Sequence, residues 1–344
     1  MFQNDGALVY PLYADLMLAP LALLSFPAAR IIASVFLPIA LVTGFGLWLR
    51  FLQLRVHLSA ALVLALFVLT SYPVLEGLYA QQLSLLVAML LAATALAASR
   101  GQMLRAGIFL GLASVKPQLI ILPAAALALW ALWDLRRRKN LMLGFLGTVG
   151  SLCLAAEAVL PGWGAYWIDA LDGYRQYNSP PLTQFIFGTS AGTIVSVALV
   201  ATLLVQSFRS RYANFSSSPF IESVSLSLAI TVLVLPSSVA VYDHVLLFPA
   251  IFLLFSRRLE ILSGGLPLRI LGWVAAAVIS WQWIGATGVV LASLVVPHDL
   301  KSTWILAPLR TAACVPFAVV SLLLFLIWRT GRELTKAKFL APGG

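Results

Sequence analysis

The sequence predicts an all-α protein, a polytopic transmembrane helical bundle of about 11 membrane segments that include two short-limbed hairpins. Three observations carry this. First, the chain of 344 residues is 61% hydrophobic and only 10% charged, with a mean hydropathy of +0.99. Soluble domains carry about 25% charged residues. Second, apolar runs recur along the whole length. Third, Lys and Arg fall almost entirely in alternate gaps between those runs, which is the positive-inside pattern of cytoplasmic loops.

Met1 to Gly6 holds no basic residue and no small-residue cleavage site, so it does not read as a signal peptide. Leu8 to Phe26 is apolar but punctuated by Pro11, Asp15 and Pro20, with Pro27 just beyond. Residues 1–26 are therefore expected to form an interfacial or re-entrant helix on the outer face. The apolar runs follow at 27–49, 58–75, 82–98, 105–116, 118–133, 141–160, 184–208, 221–235, 244–256, 270–292 and 312–328. Together, 27–328 form one transmembrane domain. The basic tail 329–344 is expected on the cytoplasmic side, against the anionic inner leaflet.

Charge placement identifies the hairpins. With Arg50 and Arg55 in the cytoplasm, a single helix over 105–133 would carry Arg136, Arg137, Arg138 and Lys139 outside. A hairpin keeps Arg105 and that cluster on one side. Its limbs then span about 18–24 Å at 1.5 Å per residue, short of a hydrocarbon core about 30 Å thick. The same reasoning turns 221–256 back, so that Arg257 and Arg258 return to the cytoplasm. Its apex is Pro236, Ser237, Ser238, Val239, Ala240, Val241, Tyr242, Asp243 and His244. Two recessed polar apices then open on one face.

Between Pro161 and Thr183 lies an outer loop, 161–183, with Trp163, Tyr166, Trp167, Asp169, Asp172, Tyr174, Arg175 and Tyr177. Amphipathic rings suit the membrane interface, and a short in-plane helix is expected there.

Lys116 heads the candidate functional residues. An intramembrane lysine costs roughly 2.5–3.5 kcal/mol on insertion scales, so it faces protein or water. It can hold a phosphate as a compact charge, or pair with a carboxylate such as Glu76 or Asp243. Asp243 and His244 can take a proton from an acceptor hydroxyl, or cap the following helix. Gln81 and Gln82 offer amides for sugar hydroxyls or for a helix start. Arg175 can reach a lipid phosphate or snorkel to headgroups. Gln282, within Trp281-Gln282-Trp283, needs a buried partner. Glu157 is expected at the rim, and His57 and His298 at segment ends. Gly107 and Gly111 form a small face for close helix packing. Cys153 and Cys314 lie in apolar runs without CxxC or Cys/His clustering, so neither a metal site nor a disulfide framework is expected. There is no P-loop, HExxH or GxSxG. The net charge of +10 follows from loop placement, and nucleic-acid binding has no support.

Several stretches resemble glycosyltransferase family 87. They are Tyr10-Pro11 with Leu18-Ala19-Pro20-Leu21-Ala22, then Gln82-Leu83-Ser84-Leu85-Leu86 preceded by Gln81 where glycine is usual. The most specific is Ala106-Gly107-Ile108-Phe109-Leu110-Gly111-Leu112-Ala113-Ser114-Val115-Lys116-Pro117, and the last is Pro236-Ser237 followed by Tyr242-Asp243-His244. The resemblance spans residues 7–256. It implies a GT-C-like fold and a hexosyltransferase, mannosyl transfer being common. The donor would be a polyprenyl-phosphate sugar, the acceptor a lipid-linked or envelope glycan, and the active side periplasmic or extracellular in an inner (plasma) membrane. Beyond membrane lipids and this lipid-phosphate co-substrate, no cofactor is implied. By the same resemblance Lys116 approaches the donor phosphate and His244, beside Asp243, lines the reaction centre. Gln81, Gln82, Tyr242 and Arg175 are grouped with substrate binding. The family's catalytic aspartate lies in a first outer loop ahead of the Tyr10-Pro11 position, and Asp5 and Asp15 do not match it by position. A transporter or lipid flippase, or a truncated non-catalytic relative, are the alternative readings. Transporters place sites near the midplane and show internal repeats, and no repeat is evident here.

Overall fold

The computed structural model describes residues 10–177, 179–235, 240–294 and 311–340, apart from the side chains of 174–177, 293 and 331–340. Asp5, the apex residues Pro236 to Val239, His298 and the side chains of Tyr174, Arg175 and Tyr177 lie outside this description. All regular elements among the described residues are helical.

In chain order the helices are α1 (Leu12–Ala22), α2 (Phe26–Phe51), α3 (Leu58–Leu69), α4 (Tyr72–Tyr79), α5 (Ser84–Ser99), α6 (Met103–Leu112), α7 (Pro117–Trp133), α8 (Leu135–Val159), α9 (Trp163–Tyr177), α10 (Leu182–Phe187), α11 (Thr189–Arg209), α12 (Ser218–Val234), α13 (Phe248–Ser256), α14 (Arg258–Ser263), α15 (Leu266–Ser293) and α16 (Cys314–Leu340). A 3₁₀ turn, Ala113–Val115, precedes α7, and a longer one, Val241–Leu247, precedes α13. By length and composition, α2, α8, α11 and α15 can each cross a bilayer unaided, and α3 with α4 has the length and composition of a fifth span only when the two are taken together across a 59° bend, the shape of a broken span or a re-entrant loop. Shorter apolar helices of 10–17 residues, two of them counted with an adjoining 3₁₀ turn, make up much of the rest. The expected segments are thus mostly present as helices, but few are independent spans.

Glycine contacts establish the direction of the first hairpin. A Cβ on Gly107 would meet Leu141, Gly144 and Phe145, and one on Gly111 would meet Thr148 and Phe145. Contacts that advance in step mean that α6 and α8 run parallel. Only Asp134 separates the end of α7 from the start of α8, so α7 returns the chain to the level where α6 began. The small face at Gly107 and Gly111 lets the two backbones touch, as expected of GxxxG packing. α2 and α5 are parallel by the same logic. Gln81 bonds Arg30 and Ser34 near the start of α2, while Gly44 further along faces Met89.

The second hairpin closes on itself through charge. At the end of α13, Arg257 donates to Glu222 at 2.5 Å and also to the Ser218 hydroxyl, both at the start of α12. Loops from distant segments meet at this same end. Gln53 donates to the Ser216 carbonyl. Arg138 is buried, lies 3.7 Å over the Trp130 ring, and donates to the carbonyls of Trp130 and Arg211. It thereby takes up a carbonyl at the C-terminus of α7, where helices leave acceptors unpaired. This is the basic end of the bundle, and the two hairpin tips lie at the other end.

α12 forms the centre, with every residue from Phe220 to Val234 buried despite Glu222, Ser223, Ser225, Ser227 and Thr231. The outer helices instead expose large apolar side chains, including Phe26, Ile31, Val35, Phe36 and Ile39 on α2 and Ile270, Trp273 and Val274 on α15. Polar groups inside and aliphatic groups outside suit a hydrocarbon surrounding. The aromatic stretch 161–183 does hold a helix, α9, whose Trp163 packs edge-on against Tyr13 of α1.

A Cβ on Gly144 would stand 2.4 Å from the Leu104 carbonyl and 3.1 Å from the Gly107 Cα. Gly144→Val should therefore force α6 from α8 and cost roughly 1–3 kcal/mol as overpacking. A lowered melting temperature in detergent, set beside an unchanged one for Gly147→Val, whose Cβ would meet open space, is the expected outcome.

Candidate functional site at the paired hairpin tips

Pro117 donates no backbone hydrogen bond and opens α7, so the chain turns through the 3₁₀ segment at Ala113–Val115. The Ser114 carbonyl left by this break accepts the Tyr13 hydroxyl at 3.1 Å. α1 is thereby pinned against the tip. Lys116, between the two helical pieces, directs its side chain inward and is 2% exposed.

Its ammonium meets the other hairpin. Lys116 Nζ lies 2.7 Å from Asp243 Oδ1 and 2.6 Å from Ser84 Oγ, and the Ser84 hydroxyl donates to the same Asp243 oxygen at 2.5 Å. Both charged side chains are almost fully enclosed. The Tyr242 ring covers the ammonium at 4.6 Å from its centroid. An ion pair withdrawn from water is stable only when hydrogen bonds satisfy its remaining valences, and Ser84 at the first turn of α5 supplies one.

Glu76 of α4 is the second carboxylate here. It receives the Tyr242 main-chain N–H and lies close enough to Asp243 for their charges to interact. The 59° bend between α3 and α4 places it there. Thr70 returns its hydroxyl to the Leu66 carbonyl, Ser71 returns its own to Val68, and the Tyr72 N–H is accepted by Gln282 Oε1 at 2.8 Å. Gln282 is thus partnered within the protein, as a buried amide must be.

Adjacent in sequence, Asp243 and His244 face different compartments. His244 lines a neighbouring cleft with Ser71, Pro73, Trp281, Gln282 and Thr311. The two sequence alternatives for Lys116 resolve toward Asp243 as its direct partner, with Glu76 one step removed. Gln81 adopts a positive φ of 49° and spends its amide on Arg30 and Ser34, which makes it a tether for α2. Gln82 is half-buried at the entry to α5. Glu157 sits exposed at the rim and accepts the Gly162 N–H at 2.8 Å. The sequence reading did not single out Ser84. The only signal was a hydroxyl at the first position of an otherwise apolar helix.

Breaking the pair from one side leaves a buried charge, at a cost of roughly 3–5 kcal/mol. Lys116→Met and Asp243→Leu should each lower thermal stability in detergent, and the two together should recover much of the loss. Additive losses in this double-mutant cycle would mean that the two residues do not act as a pair.

The model for glycosyltransferase family 87 matches residues 8–236, a stretch that contains Glu76, Ser84 and Lys116 and stops short of Asp243. No curated protein and no solved structure matches the chain. With two thirds of its length covered by that family model, and with the lysine-bearing tip of the first hairpin inside the match, the chain belongs to glycosyltransferase family 87.

Proposed function

We propose that this membrane glycosyltransferase moves a hexose, with mannose the leading candidate, from a polyprenyl-phosphate donor to a lipid-linked or envelope glycan acceptor. The carrying observation is the convergence of two donors, Lys116 Nζ and Ser84 Oγ, on one buried oxygen of Asp243. A phosphate oxygen takes the same donor set, since it too is anionic and accepts several hydrogen bonds at once. In this reading the departing polyprenyl phosphate replaces Asp243 as the acceptor at Lys116 and Ser84. A carboxylate or imidazole at the tips then takes the proton of the attacking hydroxyl. Charge developing on the phosphate is met by fixed donors in a water-poor site, where they act most strongly.

The donor is a lipid, as is a lipid-linked acceptor, so each reaches a recessed tip by diffusing within the membrane. Tyr242 and Gln82 would contact the sugar, His244 would line the approach of the acceptor, and Arg175 would reach a lipid phosphate. The basic loops gather at the opposite end of the bundle, which supports a cytoplasmic basic end and C-terminus in the inner (plasma) membrane, with transfer on the periplasmic or extracellular face.

The test is label transfer in vesicles from polyprenyl-phosphate mannose to a lipid acceptor. Ser84→Ala leaves the ion pair in place and should raise the donor KM or lower kcat by about tenfold, the value of one charge-assisted bond of about 1.4 kcal/mol. Unchanged kinetics would remove Ser84 and the shared anion site from the mechanism. Sidedness is checked separately in a variant with Cys153 and Cys314 replaced by serine. An impermeant thiol reagent added outside should label Tyr79→Cys and spare Ser216→Cys.

A further inference from the structure

We propose that the corner where α7 and α8 meet the end of α11 is a binding site for an anionic phospholipid. The charge of this corner is out of balance. α8 opens with Arg136, Arg137, Arg138 and Lys139, and α11 ends at Arg209 with Arg211 just beyond. Against these cations stands one carboxylate, Asp134, whose Oδ2 lies 3.9 Å from Arg137 Nε. Glu222, at the same end of the bundle, is already taken by Arg257. Among the described residues, Arg136, Arg138, Lys139, Arg209 and Arg211 make no ion pair. The macrodipole does not account for the cations of α8. Its first turn holds no acidic residue, and a helix N-terminus favours anions.

The corner is held in one shape. Arg138 is buried and ties α7 to the loop after α11 through the carbonyls of Trp130 and Arg211. Arg211 lies 3.8 Å over the Phe208 ring, 4.7 Å over that of Tyr212 and 5.1 Å over that of Trp133. It makes one hydrogen bond among the described residues, from Nη1 to the Phe208 carbonyl, and a guanidinium carries five N–H donors. Arg137 and Arg209 are exposed.

Apolar surface runs up to these cations. Trp133 of α7 packs edge-on against Phe208 of α11, and both rings stay half exposed. One turn earlier on the same helix faces, Leu129 and Leu204 are exposed as well. Leucine, then aromatic rings, then arginine is the order of hydrocarbon, interface and headgroup. A free phosphate would use the cations and leave this seam bare. A phospholipid uses both, with its headgroup facing Arg137, Arg209 and Arg211 and its acyl chains along α7 and α11. A zwitterionic headgroup brings a further cation to the surplus. An anionic one gains about fivefold in affinity for each arginine it faces.

The full chain is purified in detergent and offered short-chain phosphatidylglycerol, short-chain phosphatidylcholine or inorganic phosphate. Binding is read by native mass spectrometry and by the shift in melting temperature. Phosphatidylglycerol should bind and raise the melting temperature, less so as salt rises, and the other two should leave it unchanged. Arg137→Gln with Arg209→Gln, at two exposed side chains, should weaken phosphatidylglycerol binding by roughly 25-fold, the fivefold factor applied twice. Arg258→Gln with Arg269→Gln removes the same charge from exposed positions outside the corner and should bind as the wild type does. Equal binding of the two lipids, equal stabilisation by inorganic phosphate, or equal weakening in the two double variants overturns the proposal. Should Arg137→Gln with Arg209→Gln not fold, phosphatidylglycerol with a photoreactive headgroup decides on the wild-type protein. Adducts within 129–139 or 204–212 support the site, and adducts confined to other segments overturn it.

Discussion

An ammonium and a carboxylate, both closed off from water, meet at 2.7 Å where the tips of two hairpins touch. Neither hairpin has limbs long enough to reach comfortably across a bilayer. Each limb stops inside the protein, so each tip carries broken backbone and a charged side chain at depth. Such features are tolerated in a membrane only where protein or water surrounds them. The contact between Lys116 and Asp243 meets that condition for both tips at once. It lets α12 stay buried from Phe220 to Val234 beneath the two tips.

The opposite end of the bundle answers the same constraint with different chemistry. There Arg138 takes up carbonyls from α7 and from the loop before α12, stacked on Trp130. Arg257 closes the base of the second hairpin on Glu222. Guanidinium groups suit this task, because their planar fork serves several acceptors and an aromatic face together. One end is thus bound firmly by arginine. The other end is held by a compact lysine, whose single charge can exchange one anion for another, and this is the property that a site for a leaving phosphate needs.

Most of the framework was legible from local features. Helix length, proline position and basic clusters located both hairpins, and the structure closes them through the parallel run of α6 with α8 and through Arg257 at Ser218 and Glu222. The glycine pair at 107 and 111 read correctly as a packing face, and Gln282 as an amide with an internal partner. The stretch 58–75 read as one segment, whereas Thr70 and Ser71 turn their hydroxyls back onto the preceding helix and the chain bends by 59°. Hydropathy does not register such a break, because Thr and Ser cost little in an otherwise apolar window. Gln81 looked equally suited to sugar or to a helix start, and its bonds to Arg30 and Ser34 depend on where α2 lies.

The sequence by itself determined that the chain is a membrane helical protein, that its basic loops share one end, and that position 116 is a helix break bearing a charge. These properties follow from composition and from neighbours in the chain, which any window of residues contains. Only the tertiary structure decided that Lys116 pairs with Asp243 and Ser84, that Glu76 stands beside them with an oxygen unpartnered among the described residues, and that Asp243 and His244 turn into separate compartments. The hydrogen bonds among them join residues up to 159 positions apart. They are set by the rotation of each helix about its axis and by the angle of a bend, and no local stretch of sequence specifies either.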